Sequence, residues 1–326
     1  MRGIRIVGTG VSLPSRVLTN LQLEKMVDTS SEWIVDRTGI QERRIAEPDV
    51  STSDLCTEAV RKACEDASID PSELDGLIVA TSTTDTLFPS TACWVQRKLG
   101  IKGMPALDVS AGCSGFLYGL ELATALIGSG GMRKIAVVGG EVMSKVVNWS
   151  DRGTCVLFGD GAGAAIVTPG NGRSGVLASN WGADGNLAPI LYQPAGGTQM
   201  PASRESVENN QHTVHMEGNT VFKHAVVAMS GAAAQAMKDA EIGPDDVTLM
   251  VPHQANMRIM EAARERCGIP REKMYSVLHK YGNMSAATIP VALHEARGEG
   301  RIKDGDIIVS TAFGTGFTWA ACVLRW

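Results

Sequence analysis

The stretch EDASIDPSELDGLIVA, residues 65–80, decides the fold because a second version of it, KDAEIGPDDVTLMVPH, occupies residues 238–253. The two stretches align without a gap. Four identities fall at a constant offset, with Asp66, Ala67, Ile69 and Pro71 matching Asp239, Ala240, Ile242 and Pro244. In each copy, the end of a helix and a turn lead into an apolar strand. We interpret the chain as two copies of one α/β unit.

Helices and strands alternate around the first copy. The pattern predicts helices at 59–67 and 91–100, and strands at 74–82, 106–110, 134–141 and 164–168. Continuous runs of Val, Ile and Leu separated by helices are typical of a sheet that is covered on both faces. The sequence therefore predicts the α/β class.

The match between the two copies continues downstream. With a three-residue gap, AGCSG (111–115) falls opposite YGNMS (281–285). Turn residues in TPGNGRSG separate the copies, so the halves are predicted at 1–172 and 173–326.

The composition narrows the classes of protein. A chain of 326 residues with 44% hydrophobic residues can bury a large core. The seven cysteines lack paired spacing, so we expect no disulfide framework and no metal site. A net charge of −5 gives no general attraction to nucleic acid.

The first residues are typical of a strand rather than a signal peptide. No apolar run is long enough to span a bilayer. We therefore expect a cytoplasmic protein without a membrane partner.

One cysteine stands out in the sequence DVSAGCSGFLYGLELATALI (108–127). Cys113 has small neighbours and precedes a helix that is apolar on nearly every side. The positive end of a helix dipole stabilises a thiolate, so the pKa is predicted to fall and the sulfur to act as a nucleophile. The alternative is a buried structural cysteine, which is our interpretation of Cys56, Cys64, Cys93, Cys155, Cys267 and Cys322.

Two further polar residues are placed by the repeat at strand ends or helix starts, where α/β sheets form ligand crevices. His253 follows a short apolar strand in VPHQAN, and Asn283 precedes a helical pattern in YGNMSAA. A neutral imidazole and a carboxamide can both donate hydrogen bonds to a carbonyl oxygen that gains charge. The alternatives are a structural histidine and a helix N-cap.

The motifs VSAGCSGF, VPHQAN, YGNMSAA, FGTGFTW and SSEWIVDRTGIQERR together resemble those of the thiolase-like condensing enzymes, and most closely the β-ketoacyl-[acyl-carrier-protein] synthase III family. The resemblance covers the whole chain and implies a five-layered αβαβα thiolase-like fold. It also implies that Cys113 accepts an acyl group, with acetyl-CoA as the expected primer and no permanently bound cofactor. His253 and Asn283 would then bind the malonyl thioester during a decarboxylative condensation that starts fatty acid synthesis.

The resemblance implies further site residues. Backbone N–H groups of Cys113, Thr315 and Gly316 would form an oxyanion hole, provided that the φ of Thr315, which stands in place of a glycine, suits a side chain. Trp33 and Arg37 are four residues apart on one face of a predicted helix and would hold the adenine of coenzyme A. An indole and a guanidinium can both stack on a flat adenine ring. The other implied coenzyme A contacts are Thr29, Arg152, Gly218, Phe222 and Asn256.

Partner surfaces are also implied. The segment 254–273 carries the cations Arg258, Arg264, Arg266, Arg271 and Lys273 on an otherwise acidic chain, which predicts docking of malonyl-acyl carrier protein. The residues expected to bind it are Gln254, Ala255, Asn256, Met257 and Arg258, of which Arg258 is the leading candidate. The loop that carries Phe88 would reach the acyl pocket of a second subunit, which predicts a homodimer.

Alternatives within and beyond this family remain. Elongating ketosynthases carry a second histidine in place of Asn283, and thiolases carry a second cysteine that FGTGFTW lacks. Asp85 leaves room for the carboxylate base of hydroxymethylglutaryl-CoA synthases. The remaining alternatives are a condensing enzyme of secondary metabolism and a non-catalytic partner subunit.

Overall fold

A computed structural model of the chain describes residues 3–172 and 174–326. The strands are β1 Ile4–Ser12, β2 Val17–Thr19, β3 Glu42–Arg44, β4 Gly76–Ala80, β5 Ala106–Val109, β6 Ile135–Val142, β7 Asp160–Pro169, β8 Gly175–Ala183, β9 Leu191–Tyr192, β10 His215–Met216, β11 Leu249–Pro252, β12 Ile307–Gly314 and β13 Thr318–Arg325. The α-helices are α1 Asn20–Leu23, α2 Ser31–Thr38, α3 Thr52–Asp66, α4 Thr91–Leu99, α5 Gly115–Gly128, α6 Arg152–Cys155, α7 Arg204–Glu208, α8 Gly218–Asp239, α9 Met257–Arg266, α10 Leu278–Tyr281 and α11 Thr288–Gly298. The predicted boundary between the halves falls at Arg173, which lies outside the described residues.

Two mixed sheets repeat one strand order. The first runs β1-β7-β6-β4-β5, and the second runs β8-β13-β12-β11. In each sheet the final strand of the half lies antiparallel between its neighbours, while β4 and β6, like β11 and β12, are parallel. In the first half, β5 pairs with β4 in parallel. Among the described residues of the second half, a single parallel bridge from Met250 to Met274 takes the place of this pairing. The predicted duplication is confirmed.

The duplicated stretches also share their backbone conformation. Ser68 and Glu241 stand at equivalent positions after α3 and α8, and both have φ of 56°. The N–H of the next residue, Ile69 or Ile242, donates back to the preceding helix over 3.0 Å in both copies. A left-handed residue closing a helix in this way satisfies carbonyl groups that the helix leaves free.

Five layers result from the way the helices cover the sheets. α5 and α11 lie between the two sheets and share one core with them, including Phe116, Val137, Val251 and Val291. α3 and α4 cover the outer face of the first sheet, while α8 and α9 cover the second. α5 is apolar on all sides because a sheet packs on each of its faces. Among the described residues, no helix combines the length and apolarity that a membrane span requires.

The alignment of the two site turns differs from the prediction. Gly112, with φ of 53°, opens a single 3₁₀ turn that continues into α5, and Ser285, with φ of 46°, opens the same turn before α11. Gly112 and Ser285 keep the offset that relates Asp66 to Asp239, so no three-residue gap exists. The gap was wrong because it matched residue types, whereas the backbone pairs Cys113 with Ala286.

Candidate active site

Cys113 lies in the turn between β5 and α5, at the meeting of two cavities. Its side chain is buried, with 8% of the residue exposed. It lines a cavity of about 260 Å³ on one side and a cavity of about 320 Å³ on the other. A substrate can therefore reach the sulfur from one cavity while an attached group occupies the second.

The electrostatics of the sulfur differ from the prediction. Burial raises the pKa of the Cys113 thiol to about 12, while a hydrogen bond with Ser285 lowers it and the charge of Glu141 raises it. The prediction that the pKa of this thiol is lowered is therefore wrong, because the loss of hydration on burial is the largest influence on it. Cys113 rests as a thiol.

His253 extends β11, since its N–H donates to the Thr311 carbonyl of β12 over 2.8 Å. The residue is fully buried, and burial lowers the pKa of its imidazole to about 3, so the predicted neutral state is confirmed. Nδ1 lies 2.7 Å from Thr288 Oγ1, a hydroxyl that can match either tautomer, whereas Nε2 is buried without a partner. The ring packs edge-on against Phe313, which lines the smaller cavity.

Asn283 is held by the first half of the chain. Its N–H donates to the Leu157 carbonyl over 2.9 Å, and its carbonyl accepts from the Gly159 N–H over 3.1 Å. The side-chain oxygen accepts from the Ser285 N–H over 2.8 Å. Because this bond occupies Oδ1, the amide Nδ2 is left as a donor beside the smaller cavity, which Asn283 lines together with Cys113.

The turn after β12 packs against the backbone of Cys113. A Cβ on Gly314 would lie 2.6 Å from the Cys113 amide nitrogen, and a Cβ on Gly112 would lie 2.4 Å from that of Thr315. Only glycine permits these approaches, which bring the backbone amides of the two turns together. Thr315 is not among the described non-glycine residues with positive φ, so its side chain leaves this backbone unstrained. Thr315 and Gly316 line the larger cavity with Cys113.

The smaller cavity gathers most of the residues predicted for coenzyme A. Six of them line it, namely Trp33, Arg37, Arg152, Gly218, Phe222 and Asn256. The Trp33 ring lies 5.9 Å from the Arg37 guanidinium carbon and 4.9 Å from that of Arg152. Thr29 is not part of the lining, and its hydroxyl is buried without a partner.

The segment predicted to dock the carrier protein divides into buried and exposed residues. Gln254 and Ala255 are 0% and 4% exposed, so their assignment to a docking surface is wrong. Gln254 instead bonds the Pro252 carbonyl and the Val277 N–H, which fixes the loop after β11. Asn256 and Met257 are half-buried, while Arg258 is exposed and lies over the ring of Phe222, which lines the smaller cavity.

Phe88 lies outside both cavities of its own chain and is 81% exposed. Asp85 was the candidate for the carboxylate base of hydroxymethylglutaryl-CoA synthases. Its carboxylate accepts hydrogen bonds from the Ser53 N–H over 2.8 Å and from the Ser53 hydroxyl over 2.5 Å. These bonds tie the carboxylate to the first turn of α3, which accounts for it structurally.

Sequence reasoning missed three polar residues at the centre of the site: Glu141, Ser285 and Thr288. Glu141 is fully buried at the end of β6 and accepts bonds from residues 81–83 and from Ser285. A carboxylate that closes an otherwise apolar buried strand is a signal that the sequence does carry. No comparable sequence signal marks Ser285 and Thr288, because their roles depend on contacts between the two halves of the chain.

Comparisons with known proteins agree with this geometry. Models of the 3-oxoacyl-[acyl-carrier-protein (ACP)] synthase III family match residues 107–185 and, for its C-terminal part, 237–326. A β-ketoacyl-[acyl-carrier-protein] synthase III of Caldanaerobacter subterraneus subsp. tengcongensis is 54% identical over 98% of this chain and 97% of its own. The crystal structure of 3-oxoacyl-[acyl-carrier-protein] synthase III from Aquifex aeolicus VF5 matches with a TM-score of 0.93 and 46% identity, covering 99% of this chain and 100% of that one. The priming β-ketosynthase of the R1128 polyketide pathway matches with a TM-score of 0.91 and 33% identity, covering 99% and 96%.

The duplicated five-layer fold is the thiolase-like fold, and the enzymes that share both the fold and the sequence of this chain are condensing acyltransferases. Given 54% identity over nearly its full length, the chain belongs to the β-ketoacyl-[acyl-carrier-protein] synthase III family.

Proposed function

We propose that this enzyme joins an acyl-CoA primer to malonyl-acyl carrier protein, with loss of carbon dioxide, in the step that starts fatty acid synthesis. The observation that carries the proposal is the position of Cys113 between two cavities, one of which has Trp33, Arg37 and Arg152 in its lining. Acetyl-CoA is the proposed primer. The names of the relatives support the same overall reaction.

In the first half-reaction, the Cys113 sulfur attacks the thioester carbonyl of the primer. The S–H bond breaks, a bond forms between the sulfur and the acyl carbon, and the CoA sulfur leaves with the proton. Because burial keeps the Cys113 thiol protonated, the proton leaves during the attack rather than before it. Backbone N–H groups of Cys113, Thr315 and Gly316 are proposed to hold the oxyanion, a role that their close packing supports.

In the second half-reaction, malonyl-acyl carrier protein loses carbon dioxide and leaves an enolate. The enolate carbon attacks the acyl group on Cys113, and the sulfur departs and regains a proton. We assign the stabilisation of the enolate oxygen to His253 Nε2–H and Asn283 Nδ2. This tautomer requires the Thr288 hydroxyl, which donates to the Ser285 carbonyl in this structure, to turn and donate to His253 Nδ1. Two neutral donors suit this role because they stabilise the charge that develops without first attracting the malonyl carboxylate.

Mass spectrometry tests the first half-reaction directly. Incubation with acetyl-CoA is expected to add one acetyl group to the chain, on the peptide that contains Cys113. The Cys113→Ser variant is expected to stay unmodified, and Cys267→Ser, which changes another buried cysteine, is expected to be acetylated like the unmodified chain. An unmodified wild-type chain would contradict the proposal and favour a non-catalytic partner subunit.

A second candidate is a priming condensation in secondary metabolism, favoured by the similarity to the R1128 priming ketosynthase. The two candidates differ in the partners that the enzyme accepts. Product formation with malonyl-acyl carrier protein, measured against malonyl-CoA at equal concentration, separates the carrier-dependent reaction from a CoA-dependent one. A preference for a primer longer than acetyl in the same assay would favour the second candidate.

The larger cavity is the proposed acyl pocket. Met143, Val146, Leu191 and Val214 give it an apolar wall, and Cys113 stands at one side. Phe88 of a second subunit is proposed to close this pocket and to limit the acyl length. Its exposure of 81%, next to Leu87 at 74%, supports that role, because adjoining exposed apolar side chains are typical of an interaction surface.

A further inference from the structure

Ser285 has an unusual backbone conformation for a residue that carries a side chain. Its φ of 46° lies in the left-handed region, which costs a non-glycine residue about 1–2 kcal/mol. The equivalent turn in the first half uses Gly112, which adopts this region freely. A strained position that retains a side chain points to a use for that side chain.

Separate atoms of Ser285 connect it with Asn283, with Cys113 and, through Thr288, with His253. Its N–H donates to Asn283 Oδ1 over 2.8 Å, and its carbonyl accepts from the Thr288 hydroxyl over 3.0 Å. Thr288 Oγ1 in turn lies 2.7 Å from His253 Nδ1. Its hydroxyl lowers the pKa of the Cys113 thiol, and Ser285 and Cys113 line the larger cavity together. Ser285 is 3% exposed, so water does not compete for these bonds.

Glu141 holds the same hydroxyl from the other half of the chain. The Ser285 hydroxyl donates to Glu141 Oε1 over 2.9 Å. The remaining bonds to this carboxylate come from Thr81, Ser82 and Thr83, all after β4. Burial raises the pKa of this carboxyl group, while the hydrogen bonds that converge on it lower the pKa and favour the ionised form, which only accepts.

We propose that Ser285 is a positioning residue that fixes Cys113, His253 and Asn283 together, and that Glu141 controls where its hydroxyl proton points. The inference rests on the proposed roles of those three residues. While Cys113 is a thiol, the Ser285 proton goes to Glu141. When charge forms on the sulfur, the same proton turns to the sulfur and stabilises it, since bonds to charged groups are the stronger ones.

Two substitutions are expected to act in opposite directions. Ser285→Ala removes the donor to the thiolate, so alkylation of Cys113 by iodoacetamide at pH 8 is expected to slow about tenfold, as the loss of a hydrogen bond to a charged group implies. Glu141→Gln removes a negative charge and supplies an amide donor to the Ser285 oxygen, which frees the hydroxyl proton for the sulfur. Alkylation is then expected to become about tenfold faster.

The measurement uses a Cys93→Ser background, because Cys93 is the exposed cysteine among the seven. Peptide mass spectrometry follows Cys113 alone, and thermal unfolding checks each fold. Ser230→Ala removes another buried hydroxyl, which bonds within α8, and is expected to leave the rate unchanged. If Ser285→Ala does not fold, Ser285→Gly removes the hydroxyl and suits the backbone.

Slower alkylation in both the Ser285 and Glu141 variants, or no change in either, would overturn the proposal. Alkylation requires no coenzyme A, so this result is independent of the proposed function. Failure of acetyl transfer in the unmodified chain would instead count against that function.

Discussion

At the scale of single residues, burial and hydrogen bonding set the chemistry of the site. The Cys113 thiol and the His253 imidazole both rest in their neutral forms, because burial raises the pKa of the first to about 12 and lowers that of the second to about 3. In the proposed reaction, a neutral pair would not attract the malonyl carboxylate, which leaves as carbon dioxide. Neutrality therefore suits a site in which charge develops only as the reaction proceeds.

The depressed pKa of His253 makes stability depend on pH. Its ordinary value of 6.5 applies in the unfolded chain, and the folded value is about 3. The unfolded state thus binds the proton first, so this contribution is fully present above pH 6.5 and is lost as the pH falls toward 3. A shift of this size corresponds to roughly 4–5 kcal/mol.

Urea unfolding at several pH values measures this effect. Between pH 6.5 and 4, the free energy of unfolding of the wild type is expected to fall more steeply than that of His253→Asn. His279→Asn, which replaces an exposed histidine, is the matched control and should follow the wild type. Parallel curves for the wild type and His253→Asn would show that the imidazole is not held neutral by the fold.

At the scale of elements, the turn before α5 and the turn after β12 determine where the sulfur and the backbone donors meet. Their separation is set by glycines, since a Cβ on Gly112 or Gly314 would meet backbone atoms of the opposite turn within 2.6 Å. This packing joins the two halves, because one turn belongs to each. The close packing depends on Gly112 and Gly314 and not on the residue between Gly314 and Gly316. The turn therefore accommodates Thr315 at that position.

Gly112→Ala is expected to disrupt this contact. The new Cβ would lie 2.4 Å from the Thr315 amide nitrogen, and the φ of 53° adds strain. Together these effects are expected to lower the free energy of unfolding by about 3 kcal/mol or more and to abolish acetyl transfer to Cys113.

Gly100→Ala is the matched control, because Gly100 has φ of 76° and open space around its Cβ position. It is expected to cost about 1 kcal/mol and to leave acetyl transfer intact. Equal losses for the two variants in chemical denaturation would show that backbone strain alone, rather than the contact with Thr315, accounts for the glycine.

Much of the element pattern could be predicted from the sequence. Each predicted helix, at 59–67 and 91–100, overlaps an observed helix, and each predicted strand overlaps an observed strand. The agreement arises because the spacing of apolar residues reflects which side of each element is buried. The register of the turn at Ser285 was missed, since a left-handed serine leaves no sequence signal. The raised thiol pKa was missed as well, since the loss of hydration depends on burial in the folded chain, which the local sequence does not show.

At the scale of the whole molecule, the duplication places the proposed site between two sheets and leaves two surfaces to explain. Leu87 and Phe88 are 74% and 81% exposed, and β5, at the edge of the first sheet, pairs with β4 alone. An apolar loop beside an open sheet edge favours association with a second copy.

We expect the wild type to sediment as a dimer. The double variant Leu87→Asp, Phe88→Asp introduces charge at this surface and is expected to shift the equilibrium to the monomer at micromolar concentration. Val227→Asp, which charges an apolar side chain that is 58% exposed on α8, should remain dimeric. A monomeric wild type in sedimentation velocity would remove the proposed homodimer and the assignment of Phe88 to a partner's pocket.

The second surface surrounds Arg258, which is exposed and lies over the ring of Phe222, a residue that lines the smaller cavity. Other cations further along this surface are engaged within the chain, since Arg264 and Arg271 both pair with Glu261 over 2.9 Å. Arg258 therefore remains the proposed contact for an acidic carrier protein. Such contacts act mainly on association, which long-range charge accelerates.

Arg258→Glu is expected to raise the KM for malonyl-acyl carrier protein at least tenfold at low salt, with less effect at high salt because ions screen the charge. Acetyl transfer from acetyl-CoA to Cys113 is expected to stay within about twofold of the wild type, since that half-reaction involves no carrier protein. Arg266→Glu makes the same charge change at an exposed position at the end of α9, so a nonspecific charge effect would appear in both variants. Equal loss of the two half-reactions in Arg258→Glu would mean that this arginine supports the cavity itself, and the carrier protein would then have to dock elsewhere.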